Sequence, residues 1–444
     1  GMRRGADLIS RGFHRVVGEI PATVGIRRIG KEASSAGPAA LVLVLAMSLA
    51  WNSAVIGASM PLTKRNHARF AFGADATFHL DKFALPDWDD FIENVTNHEL
   101  TQAGALVSVA ELHLSATWGG EVDAVAMNPL EYLEVGYDHF GQPLNESDIG
   151  DMLKDLQLTL AGAIISNDIA AEYEVSVGDT LRAATSVSGA AEIMVFTIVG
   201  VAEGLSNNLL QTTSQGYWWY LPVGSQTLWV NREYVESQID LEQDASNVYC
   251  IRAIEGANDT ILVEDVLSSG GDLVVGENWA SVSNEVSDYL EMTTYQMDRA
   301  VDTMLTVVMI GIIFGAFTVY AVEGIRARKR EIALLRAMGA SSGLVVKAQG
   351  AEMLVLAIIS TGLLMGYGPL MIMNNLLTYR ATTLIFPVPI FAVIPWFTLA
   401  AIVAFFLASI LVFVLAIAFL SSRVHLSEAL NASWAESGPY GGDV

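Results

Sequence analysis

Cysteine is nearly missing from this 444-residue chain: Cys250 stands alone. One thiol excludes an internal disulfide and any zinc site built on cysteines. Its setting, NVYCIRAI, alternates like a strand, so a buried thiol is expected. No G-x-x-x-x-G-K-[ST] loop is present to cradle nucleotide phosphates, and no H-E-x-x-H occurs. The seven histidines (14, 67, 79, 98, 113, 139 and 425) show no ligand spacing. No catalytic residue, metal site or bound cofactor is therefore expected, and the chain does not read as an enzyme. An intramembrane protease is excluded as well, because the apolar stretches hold neither paired aspartates nor a His-Glu motif.

Cations are scarce and unevenly placed. The chain carries 24 Lys and Arg against 48 Asp and Glu, a formal net charge of −24. Residues 61–296 hold 37 acids and only 8 bases, whereas 1–37 hold seven bases against three acids and 323–347 six against two. An excess of Lys and Arg beside membrane spans marks the cytoplasmic side. Both termini and the 323–347 loop are thus expected inside, with the acidic 61–296 region outside. Such an exterior repels nucleic acid. Its acidity fits a salty habitat or simply a soluble exterior.

Apolar sequence is what the chain has in abundance, at 52% of residues and a mean hydropathy of +0.42. Four blocks, each roughly 20 residues or more, are long enough to cross a bilayer core of about 30 Å. The expected fold class is an α-helical membrane protein with four transmembrane helices and a large extracytoplasmic α+β domain. In order, 1–37 form a basic amphipathic segment along the inner leaflet, 38–60 the first span, and 61–296 the outer domain. The second span, 297–322, continues a stalk helix, and 323–347 return through the cytoplasm. The third span covers 348–374, a short outer loop 375–389, the fourth span 390–421 and a cytoplasmic tail 422–444. This is a multi-pass protein of the cell (inner or cytoplasmic) membrane, in contact with membrane lipid.

Within the outer region, 69–80 reads as a strand and 85–97 as a helix with Asp87 as a possible N-cap; valine-rich strands follow at 105–118 and 121–129. A similar order, strand, helix, strand, returns over 247–279. These two pieces predict one split β-α-β subdomain, with a β-rich insert at about 162–235. From 281 to 330 no proline occurs, so a single helix of about 45 residues is expected to rise from the second span into the outer domain, near 70 Å at 1.5 Å per residue. A rod of that kind would transmit motion.

Two stretches suggest contacts. REIALLRAMGAS, residues 330–341, places Ile332, Leu335 and Met338 on one helical face, with Arg330, Glu331 and Arg336 as a polar rim. Gly339 is a natural helix stop, and the following Ala-Ser-Ser can start the next helix. The segment reads as a short helix at right angles to the spans, suited to docking in a partner's groove; the bland alternative is a helix held by lipid alone. Outside, GYWWYLPVGSQTLWV gathers Trp218, Trp219, Tyr220 and Trp229, which could grip cargo or a partner, or be half-buried strand aromatics.

RARKREIALLRAMGASSGLVVKAQGAEMLVLAI resembles the segment joining the second and third spans of the FtsX/MacB-like permeases of ABC transporters. Arg330, Glu331, Ile332, Leu334, Leu335, Arg336, Gly339, Ala340 and Glu352 fall on that pattern. GAIISNDIAAEYEVSVGDTLRAA and FTIVGVAEG are similar to the β-rich part of the MacB-type periplasmic domain, through Ala170 or Ala171, Val177, Gly178, Asp179, Phe196, Val199 and Gly200. The tail SSRVHLSEALN matches the family's ending weakly, departing at His425 and Asn431. The resemblance implies a permease that pairs with a second permease unit, as a homodimer or within a duplicated chain, and binds a cytoplasmic ABC ATPase through 330–339. ATP and magnesium would be used by that ATPase. Export or extraction of peptides, lipids, lipoproteins or drug-like molecules is implied. The alternative is a membrane scaffold or signalling protein whose outer domain regulates a cell-wall hydrolase or sensor.

Overall fold

The computed structural model describes residues 33–114, 120–185, 192–206, 226–276, 278–337, 339–382 and 392–422. The chain divides into two compact units, one of Ser59–Gln296 with Leu377–Phe391, the other of Gly1–Ala58, Met297–Leu376 and Ala392–Val444.

Among the described residues the Ser59–Gln296 unit is built on nine strands: β1 Ala76–Leu80, β2 Thr101–His113, β3 Glu121–Met127, β4 Gly162–Ser166, β5 Thr180–Thr185, β6 Glu192–Ala202, β7 Thr227–Asn231, β8 Ser246–Ala253 and β9 Trp279–Ser281. They pair in the order β3-β7-β4-β6-β5-β2-β8-β1-β9, and β3 also pairs with β2. The extra pairing closes β2, β3, β7, β4, β6 and β5 into a six-stranded ring, which removes their edges. β2 serves both parts. Its residues from Thr101 to Val109 pair with β8, and those from Val107 to His113 pair with β3. The strands β4 to β7 of the stretch expected as a β-rich insert at about 162–235 close the ring through β2 and β3.

Two-residue alternation sorts side chains into three cores. Leu112, Ala124, Ala126, Ile165, Met194, Phe196, Leu228 and Val230 fill one. Their neighbours Val109, Val125, Met127, Ile164 and Trp229 turn the other way, to meet Tyr132, Leu133, Leu153 and Leu156 from the helices Pro129–Val135 and Asp148–Leu158. β8 divides likewise: Val248 and Cys250 join that second core, whereas Tyr249 and Ile251 face Phe91, Val95, Leu262 and Val266 in the third. Cys250 is fully buried.

Three expectations of local structure need correction. The run 69–80 is only half strand, because the first helix, α1 (Ala33–Phe72), passes through Pro61 and ends at Phe72. Gly73, at φ +69°, turns the chain into β1. In 272–279, Asp272–Val275 is a helical turn and only Trp279–Ser281 is strand; Gly276, at φ +62°, separates them. The stalk is two helices, α2 (Val282–Glu291) and α3 (Thr293–Ala337). Met292 between them is extended at φ −54°, ψ 132°, and two β-branched threonines follow it.

The other unit holds most of α3, α4 (Ser342–Thr382) and α5 (Trp396–Ser422). Among the described residues one helical stretch, Val44–Phe72, is long and apolar enough to cross a membrane; shorter apolar stretches run Ile358–Asn374 and Trp396–Phe405. Large apolar side chains stand exposed along the other long helices, among them Met297, Val301, Met304, Leu363, Leu370, Phe397, Leu411 and Leu415.

A further correction concerns 330–337. No separate crosswise helix forms there: 330–337 are the final turns of the 45-residue α3. The local sequence explains this, since Arg, Lys, Glu, Ala and Leu are strong helix formers and no glycine or proline intervenes after Gly324.

Candidate functional site

The described geometry points to the end of α1, where the chain enters the sheet. Arg69 Nε donates to Asp75 Oδ1 at 2.9 Å. The second oxygen, Asp75 Oδ2, accepts from the Tyr137 hydroxyl at 2.7 Å and from the Ala253 amide at 3.2 Å. The Asp75 backbone adds two bonds, its N–H donating to Ile251 O (3.0 Å) and its carbonyl accepting from Val282 N–H (2.9 Å). One aspartate thus ties the end of α1 to β8 and to the start of α2. The Arg69 guanidinium also lies 4.5 Å from the centre of the Tyr137 ring. Burial, and next the neighbouring Asp75 carboxylate, push the Tyr137 hydroxyl well above its usual range, against the opposing pull of Arg69 and Arg252. Tyr137 therefore stays protonated and keeps donating.

A second tie lies one turn earlier on α1. Lys64 Nζ reaches Glu285 Oε1 of α2 at 3.3 Å, with the lysine side chain almost wholly covered, and sits 5.3 Å from the centre of the Tyr289 ring. The start of α2 is itself fixed: Ser281 Oγ accepts from Asn284 N–H (3.2 Å) and donates to Asp259 Oδ2 (2.8 Å). Charge-assisted hydrogen bonds of this kind are stronger than neutral ones. The arrangement makes a joint between two helices and a sheet.

Sequence reasoning missed this joint. The available signal was compositional: Lys64, Arg65 and Arg69 are three of only eight bases in 61–296 and lie within six residues. Their partners, distant in sequence, carry no local motif.

Of the residues singled out in the sequence, Arg330, Glu331, Ile332, Leu335 and Arg336 lie on the last turns of α3, with Ile332 and Leu335 at helical i, i+3 spacing. Their side chains fall outside the described residues, as does Met338. Gly339 sits in the turn between α3 and α4 at φ +92°, and the Ser341 hydroxyl and carbonyl accept from Leu344 N–H at the start of α4. Trp218, Trp219 and Tyr220 lie outside the described residues. Trp229 is a correction. It is 1% exposed, edge-on to Tyr132 at 5.3 Å, and its indole N–H donates to Ser206 O at 2.7 Å. Its position in β7 turns it toward the helix layer, so it is a core residue and offers no contact to cargo.

No protein-family model matches the chain, and no curated protein matches it. Among solved structures, the chain is similar to the periplasmic region of MacB from Actinobacillus actinomycetemcomitans at 8% identity and a TM-score of 0.30, covering 50% of this chain and 96% of that one. It is also similar to the extracellular domain of the noncanonic ABC-type transporter YknZ from Gram-positive bacteria at 14% identity and a TM-score of 0.26, covering 46% of this chain and 98% of that one.

Proposed function

We propose that this chain is the membrane subunit of an ATP-driven, ABC-type permease, which couples nucleotide hydrolysis by a cytoplasmic partner ATPase to movement of its own outer domain. The observation that carries the reading is the basic, amphipathic 326–341 segment, whose motif falls on the end of a long helix, a left-handed glycine turn and a capped new helix. Ile332, Leu335 and Met338 are the proposed apolar contacts with the ATPase, rimmed by Arg330, Glu331 and Arg336, and Gly339 sets the turn. The four spans are assigned to 38–60, 297–322, 348–374 and 390–421, with both termini inside.

Two further features support this. Apolar side chains exposed along α3, α4 and α5 need lipid or another permease unit to cover them. The paired ties at Lys64 and Asp75 are what a helix needs if it is to move a sheet domain rather than slide past it. Substrate class, whether peptide, lipid, lipoprotein or drug-like molecule, is left open by these residues.

Photo-crosslinking from position 335 in native membranes tests the reading. The expected product is a cytoplasmic ATPase carrying a phosphate-binding loop, with no such product from position 83, where Phe83 is exposed on the outer domain. Crosslinks from 335 to lipid alone would leave the scaffold alternative in its place.

A further inference from the structure

The same end of α1 borders a cleft of about 270 Å³ that the joint does not explain. Three of the eight bases of 61–296 line it: Arg65 and Arg69 from α1, and Arg252 from β8. Of its three carboxylates, two are already taken up by protein donors. Asp75 holds Arg69, Tyr137 and Ala253, and Asp259 accepts from Ser281 Oγ and from both the amide and hydroxyl of Ser283. The third, Glu255, is exposed.

Arg65 and Arg252 have no carboxylate partner among the described residues, although the region around them carries 37 acids. Arg252 is nonetheless held in place: Nη1 donates to Glu134 O at 3.1 Å, and the guanidinium lies 5.7 Å from the centre of the Tyr137 ring. One bond uses one of its five N–H donors and leaves the rest of the fork unspent. The tight turn Ile254–Ala257, closed by Ala257 N–H to Ile254 O at 2.9 Å, also lines the cleft. Open space surrounds its Gly256, so the cleft is reachable from solvent.

Guanidinium forks that converge on one small concavity recognise oxyanions. Separate forks on α1 and β8 suit a group with three or four oxygens better than a carboxylate with two, and the volume suits a head group rather than a drug-sized molecule. We propose that this cleft binds a phosphate-ester group, with Arg65 and Arg252 hydrogen-bonding its oxygens while Arg69 stays paired with Asp75. A phosphate ester free in solution and one at the head of a lipid present the same chemistry, and the test below separates the two sources.

The test uses the full chain in detergent micelles. Calorimetric titration with glycerol 3-phosphate probes the soluble source, and native mass spectrometry with phosphatidylglycerol against diacylglycerol probes the lipid source. Wild type is expected to bind one of the phosphate esters and not diacylglycerol, and Arg65→Gln and Arg252→Gln each to weaken binding by about tenfold. Arg182→Gln, an exposed base on β5, should bind as wild type does. Binding of glycerol 3-phosphate identifies a soluble ligand, and binding of phosphatidylglycerol alone identifies a lipid. Wild type that binds neither ester, or cleft variants that bind as wild type does, would overturn the inference. No ATPase enters the measurement, so its result is independent of the permease reading.

Discussion

Removing the Asp75 side chain is the sharpest perturbation of the joint at the end of α1. Asp75→Ala leaves the Tyr137 hydroxyl and the Ala253 amide without their acceptor and Arg69 without its counter-charge. Asp75 is nearly buried, with its side chain 8% exposed, while that of Arg69 is 19% exposed. Breaking a fully buried pair costs about 3–5 kcal/mol. Because water reaches Arg69, the loss expected for Asp75→Ala is lower, about 2–4 kcal/mol. Arg69→Ala should cost about 1–2 kcal/mol, because Tyr137 and Ala253 keep their acceptor. In a double-mutant cycle the pair should couple by roughly 1–2 kcal/mol. Pulse proteolysis of the full chain in a urea series reads these values from cleavage of the outer domain. Single losses that simply add would mean the crossing of α1, β8 and α2 is held by apolar packing, and the joint as described here would be wrong.

Three other consequences can be measured in the same system. Burial lowers the imidazole of His79 from 6.5 to about 4, so the unfolded chain binds more protons between these values. Stability from His79 is complete above pH 6.5 and falls as the pH drops toward 4, by about 3 kcal/mol at most; His79→Gln should flatten that part of the pH profile, and an unchanged profile would contradict the assignment. A Cβ on Gly104 would lie 2.1 Å from the Tyr249 hydroxyl, which is hydrogen-bonded to Thr96 at 2.6 Å. Gly104→Ala should thus destabilise the outer domain by about 1–3 kcal/mol, with much of the effect gone in a Tyr249→Phe background if the lost hydrogen bond dominates. Gly339→Ala meets no neighbouring atom but must hold φ near +92°, at about 1–2 kcal/mol; tryptic cleavage at Arg336 should accelerate roughly fivefold or more.

Particular residues show how much of this was legible in the sequence. Alternation in NVYCIRAI and EVDAVAM identified β8 and β3 because each strand face meets a different core. The Gly339 stop was readable for a local reason, a glycine after a run of helix formers. The closed ring was not readable, since it depends on β2 pairing with β3, β5 and β8 at once, a property of register rather than of any one segment. The break at Met292 escaped because only a pair of threonines marks it. Trp229 misled because aromatic clustering in sequence says nothing about which sheet face each ring takes. The arginine-lined cleft joins residues nearly two hundred positions apart, and only the rarity of bases in 61–296 hinted at it.

Affinity purification of the full chain from native membranes in mild detergent, with mass spectrometry of its companions, tests the central claim most directly. The account predicts a stoichiometric cytoplasmic ATPase that is lost from the Leu335→Asp variant, while that variant still inserts in the membrane. An ATPase retained by Leu335→Asp would refute the docking role of 330–339. The absence of any ATPase from the wild-type sample, with an outer enzyme or sensor in its place, would contradict the permease reading itself.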